Sequence, residues 1–283
     1  VPLGEQGRYK VVIQTPVDVD IPSTNIVWSV RGGDVSIEGP ETGAEVTVSG
    51  AAAGAFALDV SVRGLDLDPV PTLYGDVLVP VTNSLFVCAV TSNGIPVITA
   101  AEVSNRVARL NTVFRQAAMV FRWDGILHTL ERPDYFHVTS SVWAVPGLLS
   151  YTNGTGGLKL YFVETVDGGN TGGFHTPYGT ILAASEDDES GKIIAHEVGH
   201  GCGLSDIYAS SFGTTLAVEG AFTRERVESE KDWGGGYYAN LQHAALLRRL
   251  LMYGASDGME GFDIPRDRVF GLNNQADDLT SAP

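Results

Sequence analysis

A small all-β sandwich followed by a larger α+β domain is the fold class that this sequence predicts, and three features predict it. Residues 8–66 hold four short apolar or alternating runs separated by glycine and proline. Residues 101–122 carry an amphipathic helical stripe among further strand-like runs. His196 to Asp206 reads H-E-x-x-H-x-x-G-x-x-D, a pattern that needs a helix closed by a tight turn. The expected boundaries are 1–75 for the sandwich and 76–283 for the α+β domain. A chain of 283 residues is long enough to bury a core in each.

The four early strands are expected at residues 9–13, 26–30, 45–48 and 56–62, with Trp28 as the large aromatic of a sandwich core. This spacing resembles an immunoglobulin-like sandwich, and in particular the bacterial Ig-like modules attached to secreted enzymes. The stretch contains no histidine or cysteine, so no catalytic cluster is expected there. Residues 67–80, with Pro69, Pro71, Gly75 and Pro80, read as a linker of limited flexibility.

The second domain opens with an apolar strand at 85–91, and Asn93-Gly94 marks a turn. On the helix over 101–122, Val103, Val107, Leu110, Phe114, Ala117 and Phe121 form one apolar stripe, best read as packing on a sheet. Strands are expected at 135–140, 158–166 and 178–184, and glycine-rich loops at 153–157 and 168–173. Neither loop has a phosphate-binding spacing. A helix is expected at 239–251. Another begins near Asp263 and Pro265, where an acidic cap precedes a first-turn proline.

The chemistry concentrates between His196 and Asp206. Residues four apart on a helix share a face, so His196 and His200 can hold one metal ion together. Glu197 lies one residue round and is placed to act on water as a general base. Gly203 can take the left-handed conformation that ends the helix, bringing the Asp206 carboxylate back toward the histidines. Two imidazoles and a carboxylate leave a fourth position open, the pattern of a catalytic zinc. Ile194, Val198 and Cys202 recur on the opposite, apolar face. Glu219, Glu225, Glu228 and Glu230 are rival third ligands further along, and so is His243 on its apolar helix. The plainer reading is a helix with two histidines and an incidental glutamate.

The segment resembles the zinc helix of the metzincin clan of metallopeptidases, in the variant with Asp as third ligand. The resemblance implies a twisted mixed sheet, one zinc ion per chain and a Met-turn beneath the metal. Leu250-Leu251-Met252-Tyr253-Gly254 resembles that turn, with Met252 as its methionine and Tyr253 lining the pocket. It also implies that Gly179, Thr180, Ile181, Leu182 and Ala183 form the antiparallel edge strand that binds substrate backbone. The long stretch between Asp206 and Met252 departs from the clan's pattern. The implied activity is a secreted or extracellular zinc endopeptidase acting on proteins or glycoproteins. Two alternatives remain open: an inactive adhesin that keeps a zinc site, and a zinc amidase acting on a non-protein substrate.

The net charge of −16 and pI near 4.6 argue against a nucleic-acid partner, since phosphate binding needs a basic patch. They fit a monomer that stays dispersed. No apolar run reaches membrane-spanning length. Glu186-Asp187-Asp188-Glu189 is a conceivable Ca2+ site, but consecutive carboxylates more often start a helix, and calcium loops space their ligands. Cys88 and Cys202 are read equally as a disulfide or as two buried thiols.

Overall fold

Strands β1 (Gln6–Lys10), β2 (Ile26–Gly32), β3 (Val35–Glu38), β4 (Glu45–Gly50), β5 (Gly54–Val62) and β6 (Thr72–Val77) make up the first part of the computed structural model of this chain. The structure describes residues 1–11, 21–67, 70–151, 156–185, 188, 191–204 and 251–252. By contact the chain divides into one unit of Val1–Pro80 with Gln116–Ala118, and a second of Val81–Arg115 with Met119–Pro283.

In the first unit two antiparallel three-stranded sheets, ordered β1-β4-β3 and β2-β5-β6, enclose one core. Alternation supplies that core: Ile26 and Trp28 from β2, Val46 and Val48 from β4, and Phe56, Leu58 and Val60 from β5 are all buried. The Trp28 indole N–H donates to the Gly43 carbonyl at 2.8 Å, so the buried ring keeps its polar atom satisfied. Residues 72–77 are not part of the linker that the prolines of 67–80 suggest. Thr72 to Val77 form β6, paired along β5, and a boundary at residue 75 would cut through it.

The second unit is built on β7 (Val81–Ser92), β8 (Ile95–Pro96), β9 (Met119–Trp123), β10 (His128–Glu131), β11 (His137–Val138), β12 (Leu158–Val163), β13 (Thr165–Val166), β14 (Gly173–Thr176) and β15 (Gly179–Ala183). Its described helices are α1 (Ala100–Phe114), the short α2 (Pro146–Leu149) and α3 (Lys192–Gly201). The main sheet runs β10-β7-β12-β15-β14, and β8 and β9 also pair with β7. Among the described residues all its pairings are parallel except β14 on β15 and β8 on β7. The sheet is therefore mixed, as expected. Tyr161, Val163, Ile181 and Ala183 fill a core on one face. The intervening residues turn to the other face, where the Arg106 guanidinium of α1 lies over Phe162, 5.5 Å from the ring centroid. That face carries α1 and α3, which pack together.

The helix expected over 101–122 is shorter. Thr99 and Glu102 form a capping box at its start, and α1 ends at Phe114. Ala118 then takes a left-handed φ of 51°, and the pattern changes to period two: Met119 and Phe121 are buried, Val120 and Arg122 exposed. An apolar, β-branched and aromatic run behind such a break is stable as a strand on β7. The strand expected at 135–140 reduces to the two residues of β11. The Asn93-Gly94 turn is as expected, with both residues at positive φ and both backbone N–H groups donating to the Glu131 carboxylate. Cys88 and Cys202 are buried free thiols, each pushed up to about 12 by burial, not a disulfide.

Candidate metal centre

Helix α3 is the next described element after β15, and Asp188 secures its start. The Asp188 carboxylate accepts from the N–H groups of Ile193 and Ile194, both at 3.0 Å, satisfying two donors of the first turn. The neighbouring acidic residues Glu186, Asp187 and Glu189 lie outside the described residues. Gly203 has φ +86°, the left-handed conformation expected for the helix end, and its N–H donates to the His200 carbonyl at 2.9 Å.

His196 and Glu197 are buried within α3, and His200 is partly buried one turn on. The two imidazoles stand 4.9 Å apart between ring centroids, at 89° to each other. Each ring is oriented by a backbone carbonyl through Nδ1. His196 bonds the Leu251 oxygen at 3.1 Å, and His200 bonds the Leu204 oxygen at 2.9 Å. A carbonyl oxygen only accepts, so Nδ1 is the donor in both rings and the neutral tautomer carries its lone pair on Nε2. A histidine metal ligand is held in this way, one nitrogen to the metal and the other donating to a fixed acceptor.

This donor set fits zinc as far as it is described: two oriented imidazoles on one helical face. Among the described residues no group of three His, Cys, Asp or Glu is placed to hold a metal. The expected third ligand, Asp206, lies outside the described residues, as do Glu219, Glu225, Glu228, Glu230 and His243.

Met252 is buried beneath the helix. Its Sδ stands where a Cβ at Gly199 would meet it at 2.8 Å. The sulfur thus occupies the space left by the glycine between the two histidines. Leu251, one residue before, supplies the carbonyl that orients His196, so residues 251 and 252 contact α3 at two levels. Tyr253 lies outside the described residues.

The expected edge strand is corrected by the sheet. Gly179 to Ala183 form β15, which is buried, parallel to β12 on one side and antiparallel to β14 on the other. With both sides paired, its backbone cannot accept another strand. The antiparallel edge is β14, and among the described residues nothing pairs with its outer side. Ala183 N–H donates to the Gly172 carbonyl at 2.9 Å. Hydrogen-bonded pairs alternate along an antiparallel ladder, so the backbone groups of Gly173 and His175 turn outward.

His175 is the residue that the sequence reading missed. It sits on β14, its Nδ1 is 3.0 Å from Thr180 Oγ1, and its ring lies against Gly201. Burial first, and then the nearby His200, push its pKa down to about 4, so the ring is neutral at physiological pH. The alternation in Phe174-His175-Thr176 was the available signal, masked by the glycines before it.

No family model matches this sequence, and no curated protein matches it. Among solved structures, mature mirolysin of Tannerella forsythia in complex with a cleaved peptide is similar at 16% identity and TM-score 0.38, over 48% of this chain and 67% of that one. A sialyltransferase from Photobacterium damsela is similar at 11% identity and TM-score 0.24, over 58% of this chain and 35% of that one. At these scores neither likeness specifies an activity.

Proposed function

We propose that the chain is a zinc-dependent endopeptidase. The observation that carries this reading is the pair of helical imidazoles, His196 and His200, each fixed through Nδ1 by a backbone carbonyl beside the buried Glu197. His196, His200 and Asp206 would hold the ion. When bound, zinc supplies Lewis acidity, making water a nucleophile at neutral pH and polarising the scissile carbonyl. Glu197 takes the proton from the attacking water and returns it to the leaving amine. Met252 fills the space under Gly199 and does no chemistry. Substrate lies extended along β14, bonded to the outward backbone groups of Gly173 and His175, in place of the Gly179–Ala183 strand expected from sequence.

The proposal includes an extracellular protein or glycoprotein substrate and a location outside the cell, both drawn from the sequence resemblance. No described helix is long and apolar enough to cross a membrane. The Ig-like character of the first unit belongs to the same proposal, and is supported by its two packed antiparallel sheets around Trp28. Ca2+ has no part in it.

The test is cleavage of an unfolded protein substrate with and without chelator, beside the Glu197→Gln variant. Chelator-sensitive cleavage that Glu197→Gln loses supports the reading. Near-normal cleavage by Glu197→Gln would sink the general-base role and the mechanism with it.

A further inference from the structure

Strand β14 and helix α3 meet along a line in which glycine on one side faces a side chain on the other. The three atoms nearest a Cβ at Gly172 would all belong to Ile193, with Cδ1 at 2.8 Å and Cγ2 at 2.9 Å. A Cβ at Gly173 would stand 3.0 Å from Glu197 Cγ, 2.7 Å from the Ile181 oxygen and 3.1 Å from Leu182 Cδ2. At the far end the roles reverse, and a Cβ at Gly201 would stand 3.1 Å from His175 Cε1. Ile193, Glu197 and Gly201 are four residues apart, one face of the helix. Neither Gly172 nor Gly173 has a positive φ, so backbone conformation does not demand glycine at either. What Gly173 provides is room.

Taking the peptidase reading of α3 as its basis, we propose that Gly173 is a positioning residue for Glu197. The missing side chain lets the Glu197 Cγ seat directly against the edge strand. This fixes where the carboxylate stands relative to His196 and His200, which are oriented separately by their carbonyls. A methyl group at residue 173 pushes Glu197 aside and leaves both imidazoles where they were. The strand on which substrate is proposed to lie is thereby the surface against which the base is set, so base and substrate share one reference.

The experiment compares Gly173→Ala with Gly172→Ala, which crowds the same helix at Ile193, one turn before the base. A displacement near 1 Å at a reacting group can cost about a hundredfold, so kcat of the zinc-loaded Gly173→Ala protein is expected to fall about ten- to a hundredfold. Its KM and zinc content are expected to stay close to wild type, and Gly172→Ala is expected to keep its kcat. Melting of the metal-free proteins gives a second readout. Gly173→Ala lowers Tm, and adding Glu197→Ala, which removes Cγ, is expected to recover several degrees. If Gly173→Ala alone does not fold, folding of that double variant serves the same purpose.

Unchanged kcat in Gly173→Ala overturns the inference. So does a Tm that Glu197→Ala fails to recover, since the crowding would then lie on the Ile181 oxygen. Glu197→Gln run alongside separates the two levels. Retained turnover there overturns the peptidase reading itself. Loss of turnover there, with full turnover in Gly173→Ala, overturns only the positioning role.

Discussion

Gly199→Ala should change sign with its background, because two effects of similar size oppose each other at this position. The new methyl carbon would lie 2.8 Å from Met252 Sδ, 3.5 Å from Leu204 Cδ1 and 3.7 Å from Met252 Cε. Comfortable heavy-atom contacts begin near 3.5 Å, so the sulfur must retreat by about 0.7 Å. Overpacking of this kind costs about 1–3 kcal/mol, and methionine's flexibility favours the lower half. Against it, alanine in a helix interior is better than glycine by about 1 kcal/mol. The single variant is therefore expected to be less stable by up to about 1 kcal/mol, the difference of these terms. Met252→Ala alone should cost about 2–5 kcal/mol by emptying a buried site. In that background the clash is gone, and Gly199→Ala should stabilise by about 1 kcal/mol. Urea unfolding followed by circular dichroism measures all four proteins. An effect of the same sign and size in both backgrounds would show that Met252 does not lie against Gly199, and the account of residues 251 and 252 beneath α3 would fail.

Other outcomes follow from the same geometry. His175→Pro removes an outward N–H from β14 without breaking a ladder bond, so relative to His175→Ala it should raise KM for a peptide about fivefold, the worth of one hydrogen bond, with kcat retained. An equal KM in the two variants would remove β14 as the substrate strand. Burial raises the pKa of Asp188, and the hydrogen bonds from Ile194 and Ile193 and the charges of Arg106 and Arg109 oppose the rise. A raised folded pKa means that the folded state takes up the proton first as pH falls. The stability Asp188 contributes through this shift is thus greatest in acid and is lost as pH rises through the folded value. Denaturant melts from about pH 7 down to about pH 4 should show wild type gaining on Asp188→Asn, and a gap constant across that range would refute the assignment.

The most legible parts of the molecule were those whose determinants are close in sequence. His196, Glu197, His200 and Gly203 lie within two turns of one helix, and their spacing alone placed them together. The carbonyl that orients His196 comes from Leu251, 55 residues away, and no local pattern announces it. The sandwich core around Trp28 was visible through period-two alternation, yet β6 was hidden because the prolines flanking it and its own Gly75 suggested a linker. Gly75 is where the Phe56 ring packs, so a residue that weakens a strand by propensity is there for fit. Strand β14 was lost in the same way, inside a glycine-rich run whose glycines make room for Ile193 and Glu197. With β14 missed, the edge was assigned to β15, one strand too far in. The helix over 101–122 was overextended because Ala117 and Phe121 continue the apolar stripe by spacing, and only the left-handed turn at Ala118 breaks it.

On the proposed reading, α3 carries zinc through His196 and His200. Zinc stoichiometry of the purified, metal-replete protein, combined with X-ray absorption at the zinc edge, tests it most directly. One zinc per chain is expected, with two imidazole nitrogens at about 2.0–2.1 Å and the remaining positions filled by oxygen. No zinc, or zinc without imidazole ligands, would contradict it.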